Sequence, residues 1–256
     1  MAANSVGIEQ AKRQARQQVW GRLEEHGVVE LGVAGHIPAF TGAEAAAERL
    51  TSLPQWRAAR VIKANPDRAQ LPVRVRALTA GKTVYMAVPN MSGPRPFYRL
   101  DATNRSVPAE HSASSHGAAT LAHTVDVEDI PPLDVVVCGS VAVNRDGARV
   151  GKGAGYSDIE VALLIDAGLV RAHTTIVTTV HSLQVVDGSL PEEAHDFRVD
   201  VVVTPEEIIS CAPARRPPGV LWERLTADKI AAIPALARRM PARRIPRSAG
   251  PPEAVR

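Results

Sequence analysis

The sequence predicts an α/β protein of three layers around a largely parallel sheet, followed by a basic, proline-rich C-terminal tail. Three observations lead there. Leu133–Gly139 (Leu-Asp-Val-Val-Val-Cys-Gly) is an apolar run of the kind a strand covered on both faces carries. Strand-like and helix-like segments alternate through the second half of the chain, as crossovers between parallel strands require. A glycine-rich loop at residues 149–158 joins a strand to a helix.

Taken in order, residues 8–26 are rich in helix formers, contain no proline and stop at Gly27, which predicts a helix. Lys12 and Arg16 sit four apart and share one face of it, either a solvated basic face or a pair of cations aimed at phosphates. A loop with Ile37-Pro38 leads to a helix-like stretch at 42–53. Val73–Leu78 and Thr83–Val88 read as strands around an Ala80-Gly81-Lys82 turn. Residues 89–128, rich in Pro, Gly, Ser and Ala, read as the least structured part, a substrate-side loop or an insertion. After the 133–139 strand, Val141–Val143 extends it, and Asn144-Arg145-Asp146-Gly147 reads as a tight turn. A helix over 158–167 ends at Gly168. Strands follow at 174–180, 184–186 and 199–203, with a short final element at 206–209.

The chain of 256 residues is 45% hydrophobic and 4% aromatic, with a net charge of +3. So few aromatics argue against stacking platforms for single-stranded nucleic acid. Two cysteines, Cys138 and Cys211, exclude a multi-bridge secreted scaffold or a four-thiolate metal site. With no apolar leader at the N-terminus and no run of 18 apolar residues, the expectation is a soluble cytoplasmic protein without membrane association. The charge is uneven. Residues 211–256 hold ten Lys/Arg against three acids, +7, which leaves residues 1–210 at −4. The division expected is a domain over 8–210 and an extension over 211–256. One helix at 221–232 packs back through Trp222, Leu225 and Ile230, and a disordered basic tail follows from Arg238.

The chemistry concentrates in Arg149-Val150-Gly151-Lys152-Gly153-Ala154-Gly155-Tyr156-Ser157-Asp158. Glycines let backbone N–H groups approach an anion, the following helix points its positive end at the loop, and Arg149 and Lys152 add cations. Asp158 either caps the helix or meets a hard cation such as Mg²⁺. The loop is neither a Walker A sequence nor a dinucleotide fingerprint, and an ordinary Gly-rich connection is the alternative. A second cluster, Leu190 to Asp200, carries Asp196 and Asp200 near the start of a strand with His195 alongside; it is either a polar loop with a structural role or, through Asp158 with Asp196, a plausible Mg²⁺ pair. His181 after a strand end is an acid/base or ligand candidate, or simply a satisfied polar residue. No HExxH, CxxC or GxSxG pattern occurs.

These residues resemble the 5-formyltetrahydrofolate cyclo-ligase (methenyltetrahydrofolate synthetase) family, whose phosphate loop commonly reads Arg-aliphatic-Gly-basic-Gly-Gly-Gly-Tyr-Tyr-Asp. Gln184, Pro191, His195-Asp196 and Thr204 follow the family's order, and Lys12 and Arg16 match its N-terminal Lys-x-x-x-Arg helix. Segments 37–40, 61–67, 137–143 and 180–186 resemble its divergent methenyltetrahydrofolate-synthetase-domain-containing branch. The resemblance spans residues 8–210. It implies a Rossmann-like fold of the NagB/RpiA/CoA-transferase kind, and an ATP- and Mg²⁺-dependent ligase of one-carbon metabolism. Lys12, Arg16, Arg149, Gly151, Lys152, Gly153, Ala154 and Gly155 would contact ATP. Tyr156 would stand between nucleotide and substrate, and Asp158 and Asp196 would hold Mg²⁺. Lys152, Tyr156 and Arg149 would serve the chemistry. In the family reaction the formyl oxygen of 5-formyltetrahydrofolate attacks the γ-phosphate of ATP. N10 then closes the imidoyl phosphate to 5,10-methenyltetrahydrofolate, leaving ADP and phosphate.

Two departures stand out. Ala154 and Ser157 replace a Gly and a Tyr, and the Pro-Gly-Glu-type segment that helps bind the folate is missing around Arg60–Asp67. The leading reading is a cyclo-ligase taking a reduced folate as its small-molecule substrate. The alternatives are the same ATP chemistry on a non-folate formylamino or amide compound in cofactor salvage, or a non-catalytic nucleotide- or RNA-binding module. The last would use Arg238, Arg239, Arg243, Arg244 and Arg247, with no companion RNA-binding motif.

Overall fold

A computed structural model describes residues 2–101, 107–212 and 215–241. In chain order the first half holds α1 (Ala2–Glu25), α2 (Ala43–Leu50), α3 (Pro54–Ala58), β1 (Val61–Ala64), α4 (Leu71–Thr79), β2 (Thr83–Ala87), β3 (Phe97–Leu100), α5 (Ala109–Ala113), α6 (Ser115–Leu121) and β4 (His123–Val125). The second half holds β5 (Val135–Cys138), β6 (Ala142–Asn144), β7 (Arg149–Val150), α7 (Tyr156–Asp166), β8 (Thr175–Thr179), β9 (Val185–Val186), β10 (Val201–Val203), β11 (Ile208–Ser210), α8 (Ala227–Ala232) and α9 (Pro234–Arg239).

Eight strands form one sheet in the order β11-β10-β8-β5-β1-β2-β3-β4, with β10, β8, β5, β1 and β2 parallel. The pairs β2–β3, β3–β4 and β10–β11 are antiparallel. Alternate side chains divide between two cores, as the two-residue period of a strand demands. Val135 and Val137 pack with Leu50, Trp56, Val73 and Leu78 from α2, α3 and α4. Val136 and Cys138 face the other way, onto Ile159, Leu163 and Leu164 of α7, Ile230 of α8, Leu236 of α9 and Ile233 between those two helices. The three predicted layers are present.

Topology fixes where a ligand site belongs. From β1 the chain crosses through α4 to β2 on one side, then continues to β5 on the other, with Ala64 opposite Val137. Such a change of direction opens a crevice beyond the carboxyl ends of the two strands. A small second sheet, β7-β6-β9, stands beside it, and α1 packs on it through Val19, Trp20 and Leu23.

Four expectations need correction. Val73–Leu78 is not a strand but the body of helix α4. Its Val-Arg-Val-Arg alternation misleads because Arg74 is buried while Val75 is half-buried, and the buried set Val73, Arg74, Ala77 and Leu78 has helical spacing. The strand in that region is β1, whose four residues are too few to show a period. Residues 89–128 hold β3, α5, α6 and β4, elements of three to seven residues packed through small side chains such as Ala113 and Ala118. Val141–Val143 does not extend β5, since β6 pairs with β7 and β9 in the second sheet.

Lastly, the helix expected at 221–232 begins only at Ala227. Trp222–Arg224 is a separate 3-10 turn, and the Thr226 side chain caps α8 by accepting the Lys229 N–H. Trp222, Leu225 and Ile230 do pack on the core, as expected. Arg238 and Arg239 end α9, where they pair with Asp126 and, for Arg239, also Glu128. Arg243, Arg244 and Arg247 lie outside the described residues.

Candidate active site

A cavity of about 350 Å³ occupies the predicted crevice. Asn65, Pro66 and Asp67 enter from the end of β1, Gly139 from the end of β5, and Val88, Pro89 and Asn90 from the end of β2. The glycine loop forms the opposite wall, α1 reaches in from the side, and His195 and Asp196 come from the loop before β10. The eleven residues that the resemblance assigns to ATP, Mg²⁺ or the chemistry (Lys12, Arg16, Arg149, Gly151, Lys152, Gly153, Ala154, Gly155, Tyr156, Asp158 and Asp196) all line this one cavity.

Lys12 and Arg16 are 5% and 7% exposed, which rules out the solvated-face reading. Lys12 Nζ donates to Asp196 Oδ2 at 2.6 Å, and the Glu193 N–H donates to the same oxygen. Arg16 Nε donates to the Gly151 carbonyl at 2.8 Å and Nη1 to Glu9 at 2.9 Å, so α1 braces the loop. Gly153 has φ +98°, a conformation that suits glycine, and a Cβ there would lie 3.2 Å from the Arg16 guanidinium carbon. Gly155, with φ +71°, precedes α7 without a side-chain cap, so the first N–H groups of an 11-residue helix stay available to an anion.

Asp158 is not the helix cap. It sits in the first turn and accepts from Arg149 Nη1 at 3.1 Å. Arg149 lies 4.4 Å from the Phe197 ring centroid, and its Nε is buried without a partner. Burial pushes the Arg149 pKa down, but Asp158, Cys138 and Asp196 outweigh it and hold the guanidinium above its ordinary value. Lys152, the most exposed of the four cations, meets Asp67 at 3.4 Å. Tyr156 is half-buried beneath Lys229, whose Nζ lies 3.4 Å from the ring centroid.

Sequence reasoning passed over a buried polar floor. The Lys63 ammonium on β1 is fully buried and donates to both Glu160 Oε2 and Asn65 Oδ1; Asn65 and Glu160 line the cavity. The signal was one lysine in the apolar stretch Val-Ile-Lys-Ala and one acid in Ile-Glu-Val-Ala-Leu-Leu, two lone opposite charges that have to meet to be buried. Arg74, 1% exposed, donates to the carbonyls of Asn65, Pro66, Asp67 and Ala113, so it clamps the loop after β1. Burial lowers its pKa to about 10, against a raising effect of Asp67. His181 does not line the cavity. Its Nδ1 accepts the Leu183 N–H as a helix cap, and burial lowers its pKa.

Among the lining residues four cations face five carboxylates, with Lys63 beneath Glu160 as a fifth cation. The near balance means that a polyphosphate would need added positive charge. Mg²⁺ fits this chemistry, since it commonly takes one or two carboxylates plus substrate phosphates. Among the described residues no three of His, Cys, Asp and Glu gather as a metal cluster, so a bound Mg²⁺ would draw on single lining carboxylates together with phosphate and water oxygens. No described helix is long and apolar enough to cross a membrane.

The model of the 5-formyltetrahydrofolate cyclo-ligase family matches residues 8–205. The chain belongs to this family. The chain is 35% identical over 240 residues to a mouse methenyltetrahydrofolate synthase domain-containing protein, covering 88% of this chain and 62% of that protein. The human protein of the same name is 32% identical over 250 residues, covering 92% and 62%. The chain thus spans less than two thirds of the length of these relatives. A mitochondrial 5-formyltetrahydrofolate cyclo-ligase from Arabidopsis thaliana is 30% identical over 95 residues, 34% of each chain. The Aquifex aeolicus 5,10-methenyltetrahydrofolate synthetase structure matches with TM-score 0.50 and 20% identity, over 80% of this chain and 94% of that one, a likeness of fold. The cyclo-ligase family and the α/β architecture expected from the sequence are therefore both correct.

Proposed function

We propose that this cavity binds ATP with Mg²⁺ and a reduced folate, and that the protein converts 5-formyltetrahydrofolate to 5,10-methenyltetrahydrofolate with release of ADP and phosphate. The observation that carries the reading is the convergence of Lys12, Arg16, Arg149 and Lys152 with an uncapped glycine-loop helix in one crevice. ATP would supply the phosphoryl group that makes the formyl oxygen a leaving group, and Mg²⁺ would offset its charge.

The side chains have definite parts in this proposal. Backbone N–H groups of Gly153–Tyr156 and the α7 terminus meet phosphate oxygens. Lys12 and Arg16 hold the loop and the phosphates from one side. Lys152, a partly exposed ammonium 3.4 Å from Asp67, swings to the transferring group at little cost, because so long and solvated a pair is weak. Arg149 holds Asp158 in place beside the cavity, and its unpartnered Nε offers a donor. Asp158 and Asp196 hold Mg²⁺, and Tyr156 separates nucleotide from folate. No protein nucleophile is needed, since charge neutralisation and alignment suffice for phosphoryl transfer.

A second reading keeps the ATP chemistry but takes a non-folate formylamino or amide substrate. The Lys63–Asn65–Glu160 cluster favours it, because Lys63 and Asn65 belong to the Arg60–Asp67 stretch that lacks the Pro-Gly-Glu-type segment and are engaged in a buried network there. An ATP-hydrolysis assay with and without 5-formyltetrahydrofolate, followed by methenyl absorbance, separates the two. Folate-stimulated turnover that yields the methenyl product supports the first. ATP binding with no methenyl product supports the second.

A further inference from the structure

Two cations fasten the glycine loop by its backbone carbonyls, one on each flank. Arg16 of α1 takes the Gly151 carbonyl, and Lys229 of α8 donates through Nζ to the Ala154 carbonyl at 3.0 Å. Lys229 lies beyond residues 8–205, which the family model matches, and it does not line the cavity that Ala154 and Gly155 line. Its place is fixed by its surroundings. Thr226 accepts the Lys229 N–H as the cap of α8, and the next residue, Ile230, is buried in the main core. The Tyr156 ring lies beneath the ammonium, its centroid 3.4 Å from Nζ. The Val220 N–H donates to Asp166 Oδ2 at 3.1 Å, so this segment is tied to α7 at both of that helix's ends.

A trans peptide is planar, and its C=O and the following N–H point in opposite directions. With the Ala154 carbonyl turned to Lys229, the Gly155 N–H points away from Lys229, on the side of the cavity. That N–H has no partner among the described residues. Gly155, at φ +71°, is also the residue best able to accept the reversed peptide, since glycine takes either sign of φ. Without a tether the 154–155 peptide is free to turn over, carrying its N–H out of the cavity and its carbonyl oxygen in.

We propose that Lys229 is a positioning residue of the anion site: by holding the Ala154 carbonyl outward it keeps the Gly155 N–H directed at a phosphate oxygen. This role rests on the phosphate reading of the cavity and deepens it. The C-terminal segment then shapes the site without touching the ligand.

The test measures binding of pyrophosphate with Mg²⁺ to the full chain by titration calorimetry, with a melting curve for each variant. Lys229→Met is expected to bind about tenfold more weakly than the wild type, the effect of losing one charge-assisted hydrogen bond, while melting within about 4 °C of it. Lys229→Leu serves the same comparison should the methionine variant not fold. Lys229→Arg, which keeps a cationic donor for the same carbonyl, is expected to restore affinity to within about threefold of the wild type. A tether acts at contact distance, so the wild-type to Lys229→Met ratio is expected to persist in about 1 M salt, where charges are screened beyond about 3 Å. Binding by the folded variant within about twofold of the wild type, no recovery in Lys229→Arg, or a ratio that vanishes at high salt would overturn the tether and leave the phosphate reading standing. If the wild type binds neither pyrophosphate nor ADP, the phosphate reading falls and the tether with it.

Discussion

Lys63→Met removes the only ammonium in contact with the Glu160 carboxylate among the described residues. The Lys63 side chain is 0% exposed and that of Glu160 5%, so the charge left behind is largely cut off from water. Breaking a buried pair by deleting one partner costs about 3–5 kcal/mol, whereas replacing both partners with apolar side chains of similar volume is often neutral. In a chain of this size each kcal/mol moves the melting temperature by about 2–4 °C, so Lys63→Met is expected to lower it by roughly 6–20 °C. Lys63→Met combined with Glu160→Leu is expected to recover most of that loss. Circular-dichroism melts of the wild type, both single variants and the double variant form a complete cycle. A single variant melting within about 2 °C of the wild type, or a double variant no better than the single, would refute the ion-pair account.

Three further outcomes follow from named contacts. Gly153→Ala places a Cβ against the Arg16 guanidinium at φ +98°, whereas Gly155→Ala meets open space at φ +71°. Calorimetry with ADP should therefore show weakened binding for the first, while the second costs mainly about 1–2 kcal/mol of backbone strain. Arg74→Met deprives the Asn65 and Ala113 carbonyls of their donor, while those of Pro66 and Asp67 keep Ser115 Oγ and the Gln70 N–H; at about 1–3 kcal/mol for each buried unsatisfied group, denaturant unfolding should register a loss of roughly 2 kcal/mol or more. For His181, burial lowers the folded pKa from 6.5, opposed by Glu206 and reinforced by His26. Between the folded value and 6.5 the unfolded chain binds more protons, so stability falls as the pH drops through that window. His181→Asn, which retains a capping acceptor, should flatten that slope in melts taken from about pH 7 down to pH 5.

The polar half of the site was legible because its signals are local. Lys12 and Arg16 lie one helical turn apart, and the glycine loop needs only its neighbours to announce a strand–loop–helix. The buried floor was not legible, because Lys63 and Glu160 acquire meaning only when β1 and α7 meet across the sheet. Arg74 misled in the same way. Its burial against the carbonyls of Asn65, Pro66, Asp67 and Ala113 puts a charged side chain on the inner face of a helix, so the pattern reads as the alternation of a strand. Residues 89–128 looked unstructured because their elements are too short to carry a period, and they hold their place by packing on β2 and α4. The C-terminal segment was read as one helix because composition cannot show that Thr226 starts a new one.

The most direct test of the central claim is Mg²⁺-dependent ATP turnover by the full chain, followed together with methenyl absorbance in the presence of 5-formyltetrahydrofolate. The account predicts turnover that the folate stimulates and that Lys152→Ala and Asp158→Ala abolish while both variants remain folded. Absence of ATP binding by the folded wild type, or turnover undiminished in both variants, would contradict it.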